Sequence, residues 1–130
     1  MMTFLRSLAV LVLFSVPGSA QQIIADYDAR LGPQDRVNSR GVPLGNLCAI
    51  VQQDRANYHR FGRRDSFDTF DPIFADKGMR GLIARTCETA PGFEYLWTAV
   101  PNGGGFGYIV RVLVLNDNGT FRVVLSERAG

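Results

Sequence analysis

Asp54 is the residue whose position most strongly suggests chemistry. It falls within a helical apolar stripe formed by Leu47, Ile50, Val51, Tyr58 and Phe61. An ionised carboxylate buried in such a stripe is costly unless it is paired or hydrogen-bonded. Asp54 is therefore either a structural acceptor, bonded to an arginine or to loop backbone, or a carboxyl group of raised pKa that acts as an acid, a base or a ligand anchor. Its place in the stripe favours the structural alternative.

His59 is the sole histidine of the chain. Its ordinary pKa near neutrality suits general acid–base catalysis, whereas its place in the last helical turn also suits a surface residue that stabilises the helix dipole. About 140° of helical rotation separates it from Asp54, so the two side chains do not form a simple dyad. With one histidine and two thiols expected in a disulfide, we expect no metal site, and no motif indicates a cofactor.

Arginines cluster where this helix ends, at Arg60, Arg63 and Arg64. Guanidinium groups of this kind bind phosphate or carboxylate. Aspartates follow directly at positions 65, 68, 71 and 76, however, so mutual neutralisation on a solvated loop is the alternative. Glu94 supplies a further carboxylate downstream. The candidate catalytic residues are therefore Asp54, His59, Arg63 and Glu94.

Aromatic residues form a second group of candidates. Phe93, Tyr95 and Trp97 alternate along a segment rich in aromatic and branched side chains, which favours a strand with these three rings on one face. If that face is covered, the rings belong to the core; if it is open, they form a binding surface. The candidate binding residues are Tyr95, Trp97, Tyr108, Arg60 and Arg64.

Residues 1–20 have the pattern of a cleaved signal peptide. A start containing Arg6 precedes an apolar run from Leu8 to Val16, and small residues lead to Ala20. The run is far shorter than the roughly 20 residues that span a bilayer. We therefore expect cleavage after Ala20, a single exported globular domain over residues 21–130, and no transmembrane segment once the signal is removed.

Cys48 and Cys87 are the only cysteines. An even number of cysteines in an exported chain predicts a disulfide. This bond would close a loop of about 40 residues, for which the chain-entropy model gives a stabilisation of about 4 kcal/mol.

The elements that position these residues fall into two groups. Helices are predicted over residues 22–31, 47–61 and, briefly, from the Asp71–Pro72 pair to Gly78, with Asp71 as the N-cap of the short helix. Strands are predicted over residues 81–87, 93–100, 106–115 and 120–126, with a hairpin turn at 116–119. The sequence therefore predicts an α+β domain in which N-terminal helices pack on a C-terminal antiparallel meander of about four strands, with one disulfide between the long helix and the first strand.

These observations favour a small exported, non-catalytic binding or interaction protein of the bacterial periplasm or the medium. Its partner is an unidentified envelope or extracellular protein or a small ligand. The 14 basic and 12 acidic residues are too balanced to favour nucleic acid, so we expect none as a partner. The alternative is a small exported hydrolase. The predicted fold resembles that of the compact microbial ribonucleases, which implies catalysis by His59 with a glutamate and arginines.

Export makes a direct prediction about the mature chain. Intact-mass measurement of protein recovered from the periplasm or the medium should find a chain that begins at Gln21, because Gly18 and Ala20 place small side chains where signal peptidase requires them. A mass that still includes residues 1–20 would contradict the expected export and remove the basis for the disulfide prediction.

Overall fold

The computed structural model describes residues 11–13 and 21–128. The predicted signal peptide, apart from residues 11–13, lies outside the described residues. The elements in chain order are β1 (Gln21–Leu31), a 3-10 turn (Pro33–Asp35), α1 (Leu47–His59), α2 (Lys77–Thr86), β2 (Cys87–Thr89), α3 (Leu96–Ala99), β3 (Tyr108–Asp117) and β4 (Thr120–Glu127). Within the described ranges, no helix has the length and apolar character needed to cross a membrane.

The four strands form one mixed sheet in the order β1-β3-β4-β2. β1 pairs antiparallel with β3 and β3 antiparallel with β4, whereas β2 runs parallel to β4. The α+β class is confirmed, but the predicted order of helices first and an antiparallel meander second is wrong. A strand opens the described domain, and the two longer helices lie between β1 and β2.

β1 corrects the predicted helix over residues 22–31. Its buried residues are Ala25, Tyr27, Ala29 and Leu31, and the residues between them are more exposed, which is the two-residue period of a strand. Two of the four buried positions are alanine, which contributes little to an apolar pattern. The larger apolar residues of the segment happen to fall at helical spacing, and they produced the wrong prediction.

α1 confirms the predicted long helix. The Asn46 side chain caps it by accepting a hydrogen bond from the Ala49 N–H at 3.1 Å. Its buried residues include four of the predicted stripe, Leu47, Ile50, Val51 and Tyr58. Phe61 is the exception at 41% exposed. The helix ends at His59, and Gly62 then turns the chain with a φ of +64°, so Phe61 does not follow the stripe into the core.

Two further segments differ from the prediction. Residues 81–86 belong to α2, which is capped by Asp76 rather than by Asp71. Two glycines lower the helix propensity of this segment, but Ile83 is fully buried and fixes the helix against the core. Residues 93–100 form turns and the short α3 instead of a strand, and Leu96 is the residue that α3 buries. In both places tertiary packing overrides local propensity.

The C-terminal hairpin is confirmed. β3 and β4 pair from Val110 with Glu127 to Asp117 with Thr120. Asn118 and Gly119 form the turn, with φ values of 51° and 88°. Positive φ at both central residues matches the right-handed twist of the strands, and asparagine and glycine adopt it at low cost.

The core lies between the helices and one face of the sheet. Val110, Val112 and Val114 of β3 are completely buried there, together with Val123 and Leu125 of β4. The opposite face of the sheet carries ion pairs between Asp26 and Arg111 and between Glu88 and Arg122. The helices therefore cover only one side, as in a two-layer α+β domain.

The predicted disulfide is confirmed. Cys48 in α1 and Cys87 at the start of β2 are bonded, with their Cα atoms 5.7 Å apart. The bond joins the long helix to the edge strand β2, so it fixes α1 and the end of α2 over the sheet. Such a bond is typical of oxidising compartments outside the cytosol.

Candidate functional site

The guanidinium of Arg55 lies at the centre of a buried polar network, although the sequence analysis did not single it out. The Arg55 side chain is 0% exposed. Its Nε donates a hydrogen bond to Asp54 Oδ2 at 2.8 Å. Its Nη1 donates to Asp71 Oδ1 at 3.0 Å and to the Thr69 carbonyl at 3.0 Å. One cation thereby joins α1 to the loop that precedes α2.

Two tyrosine rings enclose this guanidinium. The Cζ atom of Arg55 lies 4.1 Å from the ring centre of Tyr27 in β1 and 4.3 Å from that of Tyr58 in α1. Cations are attracted to aromatic faces at these distances, most strongly where water is excluded. Tyr58 stands three residues after Arg55, a spacing that brings side chains together on a helix. The three-residue spacing between Arg55 and Tyr58 was the sequence signal from which this contact could have been predicted.

The two carboxyl groups of the network have opposite pKa shifts. Burial raises the pKa of Asp54 well above its ordinary value, although the charge of Arg55 opposes this. Burial also acts to raise the pKa of Asp71. Hydrogen bonds from His59, the Phe74 N–H and Arg55 outweigh it and hold the pKa of Asp71 below its ordinary value. Asp71 is therefore the firmly ionised partner of Arg55.

His59 belongs to the same network. Its Nε2 lies 2.6 Å from Asp71 Oδ1, and its side chain is 7% exposed. The ring is flanked edge-on by Tyr58 and Phe70. His59 does not bond to Asp54, in agreement with the helical rotation between them; Arg55 and Asp71 connect the two. Among the described residues its only ion pair is with Asp71, so a glutamate does not complete the predicted hydrolase set there.

The network fastens a loop. Besides Arg55 and His59, Asp71 accepts hydrogen bonds from the backbone N–H groups of Ile73 and Phe74, at 3.0 and 2.6 Å. Phe74 is completely buried in the core. The predicted capping role of Asp71 is thus fulfilled at a turn rather than at a helix. The hydrogen bonds of this arrangement attach residues 69–74 to α1.

Asp35 is a second buried carboxyl group close to the same helix. It accepts hydrogen bonds from the Gly32 N–H at 3.1 Å and from the Asn57 side chain at 2.9 Å. Burial raises the pKa of Asp35 to about 6, against the opposing effect of these bonds. Asp35 thereby ties the 3-10 turn after β1 to α1, which is again a structural use of a carboxyl group.

The remaining catalytic candidates lie apart from the network. Arg63 lines a small cavity of about 80 Å³ together with Asn57. Glu94 lies in the turn before α3, where its carboxylate accepts a hydrogen bond from the Gly92 N–H at 3.0 Å. The structure therefore brings Asp54 and His59 into one network and leaves Arg63 and Glu94 outside it.

The aromatic binding candidates do not share a strand face. The Tyr95 hydroxyl bonds to Glu127, and the Trp97 indole N–H donates to Thr89 Oγ1 at 3.3 Å. Tyr95 and Trp97 are 45% and 39% exposed. Both belong to the turn and short helix that replace the predicted strand, whereas Tyr108 begins β3.

The two arginines among the binding candidates, Arg64 and Arg60, have different surroundings. Arg64 stacks on the Tyr58 ring at 4.2 Å, and its Nε donates to the Tyr58 carbonyl at 3.1 Å. Arg60 is exposed and lines a groove of about 300 Å³ between α1 and α2. The groove is lined by Leu44, Ala49, Gln52, Gln53, Ala56, Arg60, Lys77 and Arg80. Its lining carries cations, amides and apolar groups but no carboxylate.

Arg80 is the residue of this groove that could not be recognised from the sequence, because position 80 was expected directly before the predicted strand over residues 81–87. The residue is 6% exposed. Its Nη1 donates to the Phe74 and Ala75 carbonyls, both at 3.0 Å. Within the described part of the chain, no carboxylate forms an ion pair with it. A nearly buried cation without a counter-charge is uncommon.

Comparison of the chain with protein-family models, with curated proteins and with solved structures finds no match. Among residues 11–13 and 21–128 there is also no group of three or more histidine, cysteine, aspartate or glutamate side chains placed to hold a metal ion. The geometry of the side chains themselves is therefore the basis for a functional proposal.

Removal of the Asp54 carboxylate should strongly destabilise the fold. Asp54→Ala leaves the buried Arg55 Nε–H without its acceptor, and we expect it to lower the free energy of unfolding by about 3 kcal/mol. Asp54→Asn keeps an acceptor and should cost less, about 1–2 kcal/mol. Chemical denaturation of the disulfide-bonded protein measures both changes.

Asp26→Asn is the matched control, because Asp26 pairs with Arg111 on the open sheet face and its side chain is 43% exposed. Loss of this exposed pair should change the free energy of unfolding by at most about 1 kcal/mol. Unchanged denaturation midpoints in both Asp54 variants would contradict the structural role of Asp54.

Proposed function

We propose that this chain is a small exported binding protein without catalytic activity, and that its binding site is the groove between α1 and α2. The observation that carries the proposal is the nearly buried Arg80, which faces a groove of about 300 Å³ and has no carboxylate partner in the described residues. Groups committed to the fold find their partners inside it. Hydrogen-bond donors that have no protein partner in a concave site are available to bind a ligand.

Export rests on two separate observations. The first 20 residues have the composition and order of a signal peptide. The Cys48–Cys87 disulfide fits an oxidising compartment such as the periplasm or the medium. A domain of this size has a modest core, so a covalent link of about 4 kcal/mol is a substantial part of its stability.

The ribonuclease-like hydrolase is the alternative. One observation favours it: the His59–Asp71 pair has the form of a histidine oriented by a carboxylate, which is a common component of catalytic sites. The position of the pair weighs against it. The His59 side chain is 7% exposed, and Asp71 also neutralises Arg55 and caps a turn. A general acid or base must reach the atom from which it takes or gives a proton.

A hydrolysis assay separates the two functions. The disulfide-bonded protein and its His59→Gln variant should be incubated with single-stranded RNA that contains all four bases. We expect neither to release fragments above the rate of buffer alone, because His59 serves the fold and does not face a substrate. Cleavage by the wild type that is lost in His59→Gln would contradict the proposal and establish the hydrolase. Far-UV circular dichroism of both proteins verifies that each is folded.

A further inference from the structure

We infer that the groove between α1 and α2 binds a small molecule through an oxyanion group, either a phosphate or a carboxylate. This inference rests on the proposed binding function and names the class of ligand for the same site. Its first support is charge. Arg60, Lys77 and Arg80 line the groove, and no acidic residue of the described part of the chain lines it. Concave sites lined by charges of one sign concentrate counter-ions of the other sign.

The guanidinium of Arg80 supplies the second support. Among the described residues, only Nη1 forms hydrogen bonds, to the Phe74 and Ala75 carbonyls. Nε and Nη2 donate no hydrogen bond to the described residues. In the part of the chain that the structure describes, only Tyr27 and Arg55 have a fully buried polar side-chain atom without a hydrogen-bond partner. The Nε–Nη2 edge of Arg80 is therefore not fully buried, and Arg80 is one of the residues that line the groove. Two parallel N–H donors on one edge of a guanidinium match two oxygens of a carboxylate or phosphate.

Four other arginines of the described domain show the contrast. Arg30, Arg55, Arg111 and Arg122 each pair with an aspartate or glutamate of the chain. Arg80 is less exposed than the partly exposed Arg111 and Arg122 and lacks such a partner. The backbone carbonyls of Phe74 and Ala75 hold the Arg80 side chain in place, but they do not neutralise its charge. An external anion would provide the missing counter-charge.

The surroundings of Arg80 suit a ligand with more than one polar group. Arg60, after the end of α1, and Lys77, at the start of α2, are both exposed and add two cations to the lining. Asp76 is the acid next to Lys77 in sequence, but its carboxylate accepts the Met79 N–H at 2.8 Å and does not line the groove. Ala49 and Ala56 present only methyl groups on the α1 side, which leaves the groove open.

The test is an NMR titration of the ¹⁵N-labelled, disulfide-bonded protein at constant ionic strength. One titration uses inorganic phosphate and a second uses succinate, each to about 10 mM, which covers millimolar sites. A third uses neutral glycerol. We expect saturable shifts of amides in residues 49–60 and 77–80 with phosphate, with succinate or with both. Phosphate alone would indicate a phosphorylated ligand, and succinate alone a carboxylate ligand.

Variants assign the shifts to the groove. The double variant Arg60→Gln with Lys77→Gln leaves buried groups untouched and should weaken anion binding about tenfold. Ala56→Trp fills the groove and should abolish the shifts. The matched controls are Arg85→Gln, which removes an exposed cation of α2 outside the groove lining, and Ala84→Trp, which adds the same bulk at an exposed position of α2 outside that lining. Both should bind within about twofold of the wild type.

Three results would overturn the inference: no saturable shift with either anion, equal shifts with glycerol, or anion affinity that the groove variants leave unchanged. If RNA is not cleaved and the anions do not bind, the non-catalytic function survives and only the ligand class is wrong. If RNA is cleaved in a His59-dependent way, the proposed function is wrong whatever the anion titration shows. The two failures are therefore distinguishable.

Discussion

A buried guanidinium is the interaction on which the rest of this structure depends. Arg55 is completely enclosed, and it contacts β1 through Tyr27, its own helix through Asp54 and Tyr58, and the following loop through Asp71. A cation removed from water depends on its counter-charges and acceptors, and Arg55 finds them through Nε and Nη1, while its Nη2 has no hydrogen-bond partner among the described residues. The strand, the helix and the loop are therefore held to one mutual arrangement, with His59 attached to the same carboxylate.

Local signals explain which elements could be predicted from the sequence. α1 has a capping asparagine and an apolar stripe, the hairpin has an Asn–Gly turn, and the disulfide follows from the cysteine count; all three are present. β1 could not be recognised, because alanines occupy half of its buried positions. α2 and α3 depend on how their own Ile83 and Leu96 pack into the core, and that information is not local.

Among the polar residues, too, some could be interpreted from the sequence and others could not. The burial of Asp54 followed from its place in the stripe, and the structure shows it 1% exposed. Its partner is the adjacent Arg55. The spacing of Arg55 and Tyr58 along the helix is visible in the sequence, but the contact of Arg55 with Tyr27 of β1 is not. Arg80 was equally hidden, since its isolation from carboxylates appears only once α2 lies beside α1. Arg55 is neutralised within the fold and Arg80 is not, and this difference separates the structural polar group from the candidate binding group.

The most direct test of this account is a double-mutant cycle between Arg55→Met and Asp71→Asn, measured by chemical denaturation with the disulfide intact. If the buried guanidinium organises the fold, the two substitutions are coupled, because loss of either partner leaves the other poorly satisfied. We expect a coupling energy of about 2 kcal/mol, with the double variant less destabilised than the sum of the two single effects. Additivity of the two effects within about 0.5 kcal/mol would contradict the account.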